Sequence, residues 1–153
     1  MINLNVVSLV QLTKFFLKDM VARGEGKILQ LSSILGMMPT PRQAVYAATK
    51  AFVLSFTEAL QQELKDTGVT MTVLCPGASD TEFFARSNAE DSRIYQDMSL
   101  DEPEMVAKAG YSGLLDGKAR VVPGLKNKIQ AASSNIVPDS LLATVMGKLM
   151  EEK

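Results

Sequence analysis

Histidine is absent from this chain of 153 residues, and cysteine occurs once. Without histidine there is no Ser-His-Asp or Cys-His catalytic group and no histidine-ligated metal site. The single cysteine, Cys75, cannot form an internal disulfide and stands in an apolar run, so we interpret it as an inert buried thiol. This cysteine usage favours a reducing, cytoplasmic setting.

Long apolar runs and a strong charge of either sign are also lacking. No run of eighteen apolar residues occurs, which argues against a membrane-spanning segment. The net charge of −1 gives no electrostatic reason to expect binding to nucleic acid or to an anionic membrane surface. A composition that is 46% hydrophobic and 22% charged is typical of one globular domain.

Apolar periodicity and turn residues predict alternating helices and strands. Helices are predicted over residues 4–22, 43–64, 125–132 and 138–151, with a further helix that begins at an Asp101 cap and runs to about Leu115. Strands are predicted over residues 27–33, 69–75 and 118–122. This alternation predicts an α/β fold with about three parallel strands and crossover helices, the second half of a Rossmann-like doubly wound sheet.

Tyr46 and Lys50 are the residues whose spacing points most directly to chemistry. They stand four residues apart in a predicted helix, so they share one helix face. A nearby ammonium favours the phenolate, and we therefore expect Lys50 to lower the pKa of Tyr46. Ser33 precedes the tyrosine by thirteen residues, at the end of a predicted strand. Together the three residues predict a proton-transfer site.

Each of these signals has an ordinary structural explanation when taken alone. A Tyr-x-x-x-Lys pair recurs by chance in helices, a Ser-Ser pair can simply cap a loop, and Pro-Gly after a strand usually marks a turn. The combination is more specific. A strand ends in Ser33, a loop with Gly36 follows, Tyr46 enters a helix, and the next strand ends in Pro76-Gly77.

With this combination the chain resembles the compact, single-domain branch of the short-chain dehydrogenase/reductase family. The resemblance implies that Tyr46 exchanges a proton with the oxygen of a carbonyl or alcohol substrate. It implies that Lys50 lowers the tyrosine pKa and binds the nicotinamide ribose, and that Ser33 holds the substrate oxygen. Asn5 matches the asparagine that supports a water-linked proton path to the lysine; the alternative is an ordinary residue at a helix start.

The same resemblance implies NAD or NADP as cofactor, and the sequence does not choose between them. The residues that match the cofactor site are Tyr46, Lys50, Pro76, Gly77, Ala78, Ser79 and Thr81. Phe83 and Phe84 follow this segment and either close over a substrate or anchor a loop.

The glycine-rich turn by which this family binds its dinucleotide is not found in the sequence. We therefore expect residues 1–153 to form a single partial domain that lacks the N-terminal dinucleotide-binding half. Within it, residues 1–78 would be a catalytic core segment, 79–98 a substrate-loop insertion, and 99–153 the last strand with the C-terminal helices.

Two functions remain open on this evidence. One is the catalytic half of an oxidoreductase that interconverts a hydroxyl and a carbonyl on a small apolar molecule. The other is a non-catalytic association module. The family's dimer interface implies homo-oligomers formed through the helices at 4–22 and 43–64.

Overall fold

The computed structural model describes residues 1–79, 100–134 and 136–151. Five α-helices and three strands make up most of this part of the chain. In chain order they are α1 (Ser8–Arg23), β1 (Gly26–Leu31), α2 (Ala44–Glu63), β2 (Val69–Leu74), α3 (Pro103–Leu115), β3 (Arg120–Val121), α4 (Leu125–Ser133) and α5 (Asp139–Leu149). A π-helical turn (Asn3–Val7) precedes α1, and a 3-10 turn (Ile34–Met37) follows β1.

The three strands form one parallel sheet in the order β1-β2-β3. The β1–β2 register runs from Gly26 opposite Val69 to Leu31 opposite Leu74. Each parallel neighbour is reached through a crossover that contains a helix, which is the connection that parallel strands require. The predicted α/β fold with three parallel strands is thus confirmed.

Helices cover both faces of the sheet. The buried residues Leu64, Val69 and Met71 pack with Leu17 and Leu60, so α1 and α2 lie on one face. The α3 helix lies against the other face. That face is lined by the side chains that alternate along each strand with those of the first face. It approaches so closely that a Cβ placed on Gly110 would lie 2.7 Å from a methyl carbon of Leu74.

The outer edge of β1 has no strand partner among the described residues. The Ser32 N–H donates to the Leu74 carbonyl at 2.8 Å, so backbone alternation turns the Leu31 carbonyl toward the outer edge. Leu29 and Leu31 are 36% and 52% exposed beside this edge. Along such an edge, backbone N–H and C=O groups have no strand to pair with.

The first predicted helix differs from the structure in two respects. It begins with the π-helical turn, and in the single chain only Thr13 of α1 is buried, although its many apolar residues predict burial on more than one side. The helix ends at Arg23, one residue beyond the predicted end, and Gly24 takes the left-handed conformation (φ 76°) that glycine adopts just past a helix.

The predicted Asp101 cap is wrong. The residue before α3 is Glu102, and no side chain caps this helix. The carboxylate of Asp101 is instead turned inward and buried, where it accepts a hydrogen bond from Asn127. The strands are also shorter than predicted, since β1 ends at Leu31 and β3 has only two residues.

Candidate active site

A cavity of about 740 Å³ opens where β1 and β2 end. The carboxyl ends of parallel strands are the usual position of ligand sites in open α/β sheets. Leu31 and Leu74, the last residues of β1 and β2, lie in its floor. Its walls include the predicted site residues Asn5, Ser33, Tyr46, Lys50, Pro76, Gly77, Ala78 and Ser79. The structure therefore brings together every predicted site residue except Thr81, which lies outside the described residues.

Ser33 is held in the gap between β1 and the 3-10 turn. Its hydroxyl oxygen accepts a hydrogen bond from the Leu35 N–H at 3.2 Å and so caps that turn. The Ile34 N–H donates to the Pro76 carbonyl at 3.0 Å, which ties this turn to the end of β2. Ser33 is only 5% exposed, so its hydroxyl has a fixed position in the cavity wall.

Tyr46 and Lys50 lie on the same face of α2, one turn apart, as their spacing predicts. The Lys50 Nζ is 5.6 Å from the centre of the Tyr46 ring. It donates a hydrogen bond to the Leu31 carbonyl oxygen at 2.9 Å. The Ser32 hydroxyl donates to the Lys50 backbone carbonyl at 2.7 Å, so the lysine is anchored at both its main chain and its side chain.

The pKa of Tyr46 is raised, not lowered as the sequence leads us to expect. Burial disfavours the phenolate and outweighs the hydrogen bond with Ser33, which lowers the pKa in part. The pKa of Lys50 is lowered, chiefly because burial disfavours the ammonium, with a smaller opposing influence from Cys75. Both shifts favour the uncharged form of the residue. Burial is therefore the dominant influence on the pKa values of Tyr46 and Lys50 in the chain without cofactor.

Asn5 lies in the π-helical turn and faces α2. Its side-chain amide donates to the Thr49 hydroxyl oxygen at 3.1 Å, and that hydroxyl donates to the Tyr46 carbonyl at 2.8 Å. Asn5 thus connects the chain before α1 to the turn of α2 that carries Tyr46. Thr49 is buried and is a residue that the sequence analysis did not single out, although it stands three positions after the tyrosine.

The segment Pro76–Ser79 forms the wall between β2 and α4. The Gly77 backbone packs directly on Asn127, since a Cβ on Gly77 would lie 2.3 Å from the side-chain oxygen of Asn127. Only a residue without a side chain fits this contact. The rest of the predicted insertion, residues 80–98 with Phe83 and Phe84, lies outside the described residues.

Several cavity residues gave no recognisable sequence signal. They come from the C-terminal helices and from the loop between β1 and α2, whose positions in the wall depend on tertiary packing. These residues are Leu35, Gln43, Val106, Lys126, Asn127, Gln130 and Met150.

In the described parts of the chain, no helix is both long enough and apolar enough to cross a membrane. Over the same residues, no three side chains of histidine, cysteine, aspartate or glutamate are grouped so as to hold a metal ion.

Comparison with known proteins agrees with the resemblance found in the sequence. The family model described as short chain dehydrogenase matches residues 1–92. The ketoacyl reductase HetN of a Nostoc species is 30% identical over 149 residues, which are 97% of this chain and 46% of that protein.

Solved structures give the same result. A structure from a study of 7beta-hydroxysteroid dehydrogenase stereoselectivity matches 95% of this chain and 57% of its own, with a TM-score of 0.76 and 26% identity. A short-chain dehydrogenase from Sphingobium yanoikuyae, in complex with NADPH, matches 88% of this chain and 54% of its own, with a TM-score of 0.72 and 25% identity. The chain spans about half the length of the relatives it matches. It belongs to the short-chain dehydrogenase family and carries the part of that fold in which the cavity described above is formed.

Proposed function

We propose that the chain contributes the proton-transfer site of an NAD(P)-dependent oxidoreductase that interconverts a carbonyl and an alcohol. One observation carries the proposal. Ser33, Tyr46 and Lys50 come from two different elements and line one wall of one cavity, where Tyr46 is hydrogen-bonded to Ser33. A phenol that is both partly buried and hydrogen-bonded at a cavity wall is suited to general acid–base catalysis.

In the proposed reduction, Tyr46 gives its hydroxyl proton to the carbonyl oxygen of the substrate as that oxygen becomes an alcohol. Ser33 donates a hydrogen bond to the same oxygen and so fixes its distance from the phenol. The ammonium of Lys50 stabilises the phenolate that remains on Tyr46. In the oxidation, Tyr46 takes the proton back from the alcohol.

The nicotinamide end of a dinucleotide fits the described cavity. A bound nicotinamide supplies or accepts the hydride in reactions of this kind. Lys50 would hold its ribose, and the backbone of Ala78 and Ser79 would bind its carboxamide. The glycine-rich turn that would hold the pyrophosphate is absent from the sequence, so binding through the adenosine end requires groups from outside these 153 residues.

The substrate is proposed to be a molecule with an apolar body. The apolar residues Leu35, Ala78, Val106 and Met150 are among those that line the cavity. Apolar walls with a few converging polar groups are typical of small-molecule sites. The names of the relatives, a ketoacyl reductase and a hydroxysteroid dehydrogenase, agree with this class. The single buried cysteine favours a cytoplasmic setting for the reaction.

The first experiment is a fluorescence titration of the folded chain with NADPH and with NADH. Saturable binding in the micromolar range supports the proposal. The ratio of the dissociation constants for NADPH and NADH gives the cofactor preference. Carbonyl reduction is then compared between the wild-type chain, Tyr46→Phe and Tyr111→Phe. Tyr111 is 62% exposed on α3 and provides the matched control.

A chain that is folded by circular dichroism but binds neither cofactor at millimolar concentration would contradict activity of these residues on their own. Equal activity of Tyr46→Phe and wild type would contradict the assigned role of the tyrosine.

A second candidate function, helix-mediated association, is favoured by the surface of α1. Leu12, Phe15 and Phe16 are 56%, 68% and 52% exposed, and Val45 and Phe52 on α2 are 53% and 38% exposed. Apolar side chains this exposed are typical of protein–protein contacts. Sedimentation equilibrium tests this function with Phe15→Glu. We expect this variant to lower the association state, whereas Leu125→Glu, at a residue 75% exposed on α4, should not change it.

A further inference from the structure

A buried carboxylate and a buried amide meet behind the Pro76–Ser79 segment. Asp101 is 8% exposed and Asn127 only 1% exposed. The Asn127 amide nitrogen donates to the Asp101 carboxylate at 2.5 Å and to the Pro123 carbonyl oxygen at 2.7 Å. Both N–H groups of the amide are therefore used, so this side chain has one defined orientation.

The two residues connect four separate parts of the chain. Asp101 lies just before α3, and Asn127 lies in the first turn of α4. Pro123 ends the β3 region, and the Asp101 N–H donates to the Ala78 carbonyl oxygen at 2.9 Å. A parallel bridge also pairs Ser79 with Asp101. The segment after β2 is thus held by Asp101, and Asp101 is held by Asn127.

The packing around this pair leaves little space for another arrangement. Asn127 fills the space in which a side chain on Gly77 would otherwise stand. Gly124 has φ 79°, a conformation that glycine adopts without strain, and a Cβ there would lie 3.3 Å from the Asn127 amide nitrogen. Lys126 lies 3.8 Å from the other Asp101 oxygen and places a compensating charge at the cavity rim.

We propose that Asp101 and Asn127 are positioning residues that fix the Pro76–Ser79 backbone for contact with the nicotinamide. This inference rests on the proposed function, in which Ala78 and Ser79 bind the carboxamide. Neither Asp101 nor Asn127 exchanges a proton or touches the substrate oxygen in this role. Their effect is to hold backbone donors and acceptors at the cavity wall, where small displacements weaken a bound ligand's hydrogen bonds.

The test uses Asn127→Asp, which replaces the donor by a second carboxylate facing Asp101. Amide hydrogen exchange followed by NMR measures the Asp101 N–H, which reports on the bond to Ala78. We expect its exchange to accelerate at least about tenfold, because a buried hydrogen bond to a charged group is lost. The Cys75 N–H, which donates to Val121 at 2.8 Å in the sheet, should change less than about twofold.

Two further variants make the result specific. The double variant Asp101→Asn with Asn127→Asp reverses the donor and the acceptor, and we expect it to restore much of the protection. Asn3→Asp makes the same change of charge at an exposed residue and should leave exchange unaltered. If Asn127→Asp does not fold, Asn127→Ala removes the donor without adding charge and gives the same expectation.

Unchanged exchange at Asp101, or equal acceleration at Asp101 and Cys75, would overturn the positioning role. A titration with NADPH then separates this inference from the proposed function. We expect Asn127→Asp to weaken binding about tenfold and the double variant to recover it. An equal Kd in wild type and Asn127→Asp would overturn the role toward the cofactor. If the wild-type chain binds no NADPH, activity of these residues on their own is contradicted, while the exchange data still decide whether Asp101 and Asn127 hold the Pro76–Ser79 segment.

Discussion

Lys50 donates its side-chain hydrogen bond to the carbonyl oxygen of Leu31, the last residue of the edge strand, at 2.9 Å. That carbonyl points to the side of β1 on which no described strand lies. The ammonium therefore satisfies a backbone acceptor at the open edge of the sheet while it lies one helical turn from Tyr46. The same lysine has both a structural and a proposed catalytic role.

The stability of the chain should depend on the ionisation of Lys50 at alkaline pH. Burial lowers the pKa of Lys50 in the folded chain below its unfolded value. Between the two pKa values the unfolded state binds more protons, so stability rises with pH there. We expect the unfolding free energy of wild type to increase, relative to Lys50→Met, as pH approaches the ordinary lysine value of about 10.4. Urea unfolding of both proteins at several pH values measures this difference in unfolding free energy. A difference that falls as pH rises would contradict the expectation.

The contribution of Tyr46 to stability should depend on pH in the opposite sense. Its pKa is raised by burial, so the folded chain retains the proton at pH values where the unfolded chain loses it. The contribution to stability is complete below the ordinary tyrosine value of about 10 and is lost as pH rises through the folded pKa. The difference between the absorbance titrations of wild type and Tyr46→Phe gives the pKa of Tyr46 in the folded chain. A midpoint below 10 in the chain without cofactor would show that burial is not the dominant influence.

Gly36→Ala should destabilise the fold at the catalytic helix. A Cβ on Gly36 would lie 2.7 Å from the Lys50 carbonyl carbon and 2.8 Å from the Ala51 nitrogen, both backbone atoms of α2. Because these atoms cannot move independently, we expect a loss of about 1–3 kcal/mol in urea unfolding.

Gly147→Ala is the matched control for this change. Its Cβ would meet only the Pro41 ring at an ordinary 3.6 Å, inside α5. We expect this variant to be neutral or stabilised by up to about 1 kcal/mol. Equal destabilisation of the two variants would indicate that the contact between Gly36 and α2 has no special importance.

Cys75 should not react with thiol reagents in the folded chain. It is fully buried, and burial raises the pKa of its thiol to about 11. At pH 8 only about one molecule in a thousand would carry the reactive thiolate. We expect no release of thionitrobenzoate from Ellman's reagent in native buffer and one equivalent in guanidinium chloride. Rapid native reaction would contradict the buried position of this thiol.

The sequence predicts the central elements of the fold closely where local signals and tertiary packing agree. The predicted helix at 43–64 is observed as Ala44–Glu63, and α1 ends at Arg23, one residue beyond its predicted end. Ser33, Tyr46 and Lys50 line one cavity because Ser33 follows the end of β1, while Tyr46 and Lys50 share one face of α2, which Lys50 ties to the end of β1 through the Leu31 carbonyl. Their catalytic roles remain predictions.

Asp101 and the tyrosine pKa show why the remainder could not be predicted. The local pattern at Asp101 favours a helix cap. In the structure its carboxylate instead accepts a buried hydrogen bond from the side-chain amide of Asn127 on α4. The expected lowering of the Tyr46 pKa considers one neighbouring charge and omits the desolvation that the fold imposes. In both cases the deciding contribution comes from residues that only tertiary structure brings near.

The parallel register of the sheet makes every strand pairing a long-range one. Gly26 pairs with Val69 across the whole of α2, and Val73 pairs with Arg120 across α3. None of the three described strands forms a hairpin with its sequence neighbour, so each hydrogen bond between them needs a long loop to close first. We therefore expect α2 to form early and to bring β1 and β2 together, which means that the helix bearing Tyr46 and Lys50 also organises the sheet beneath it.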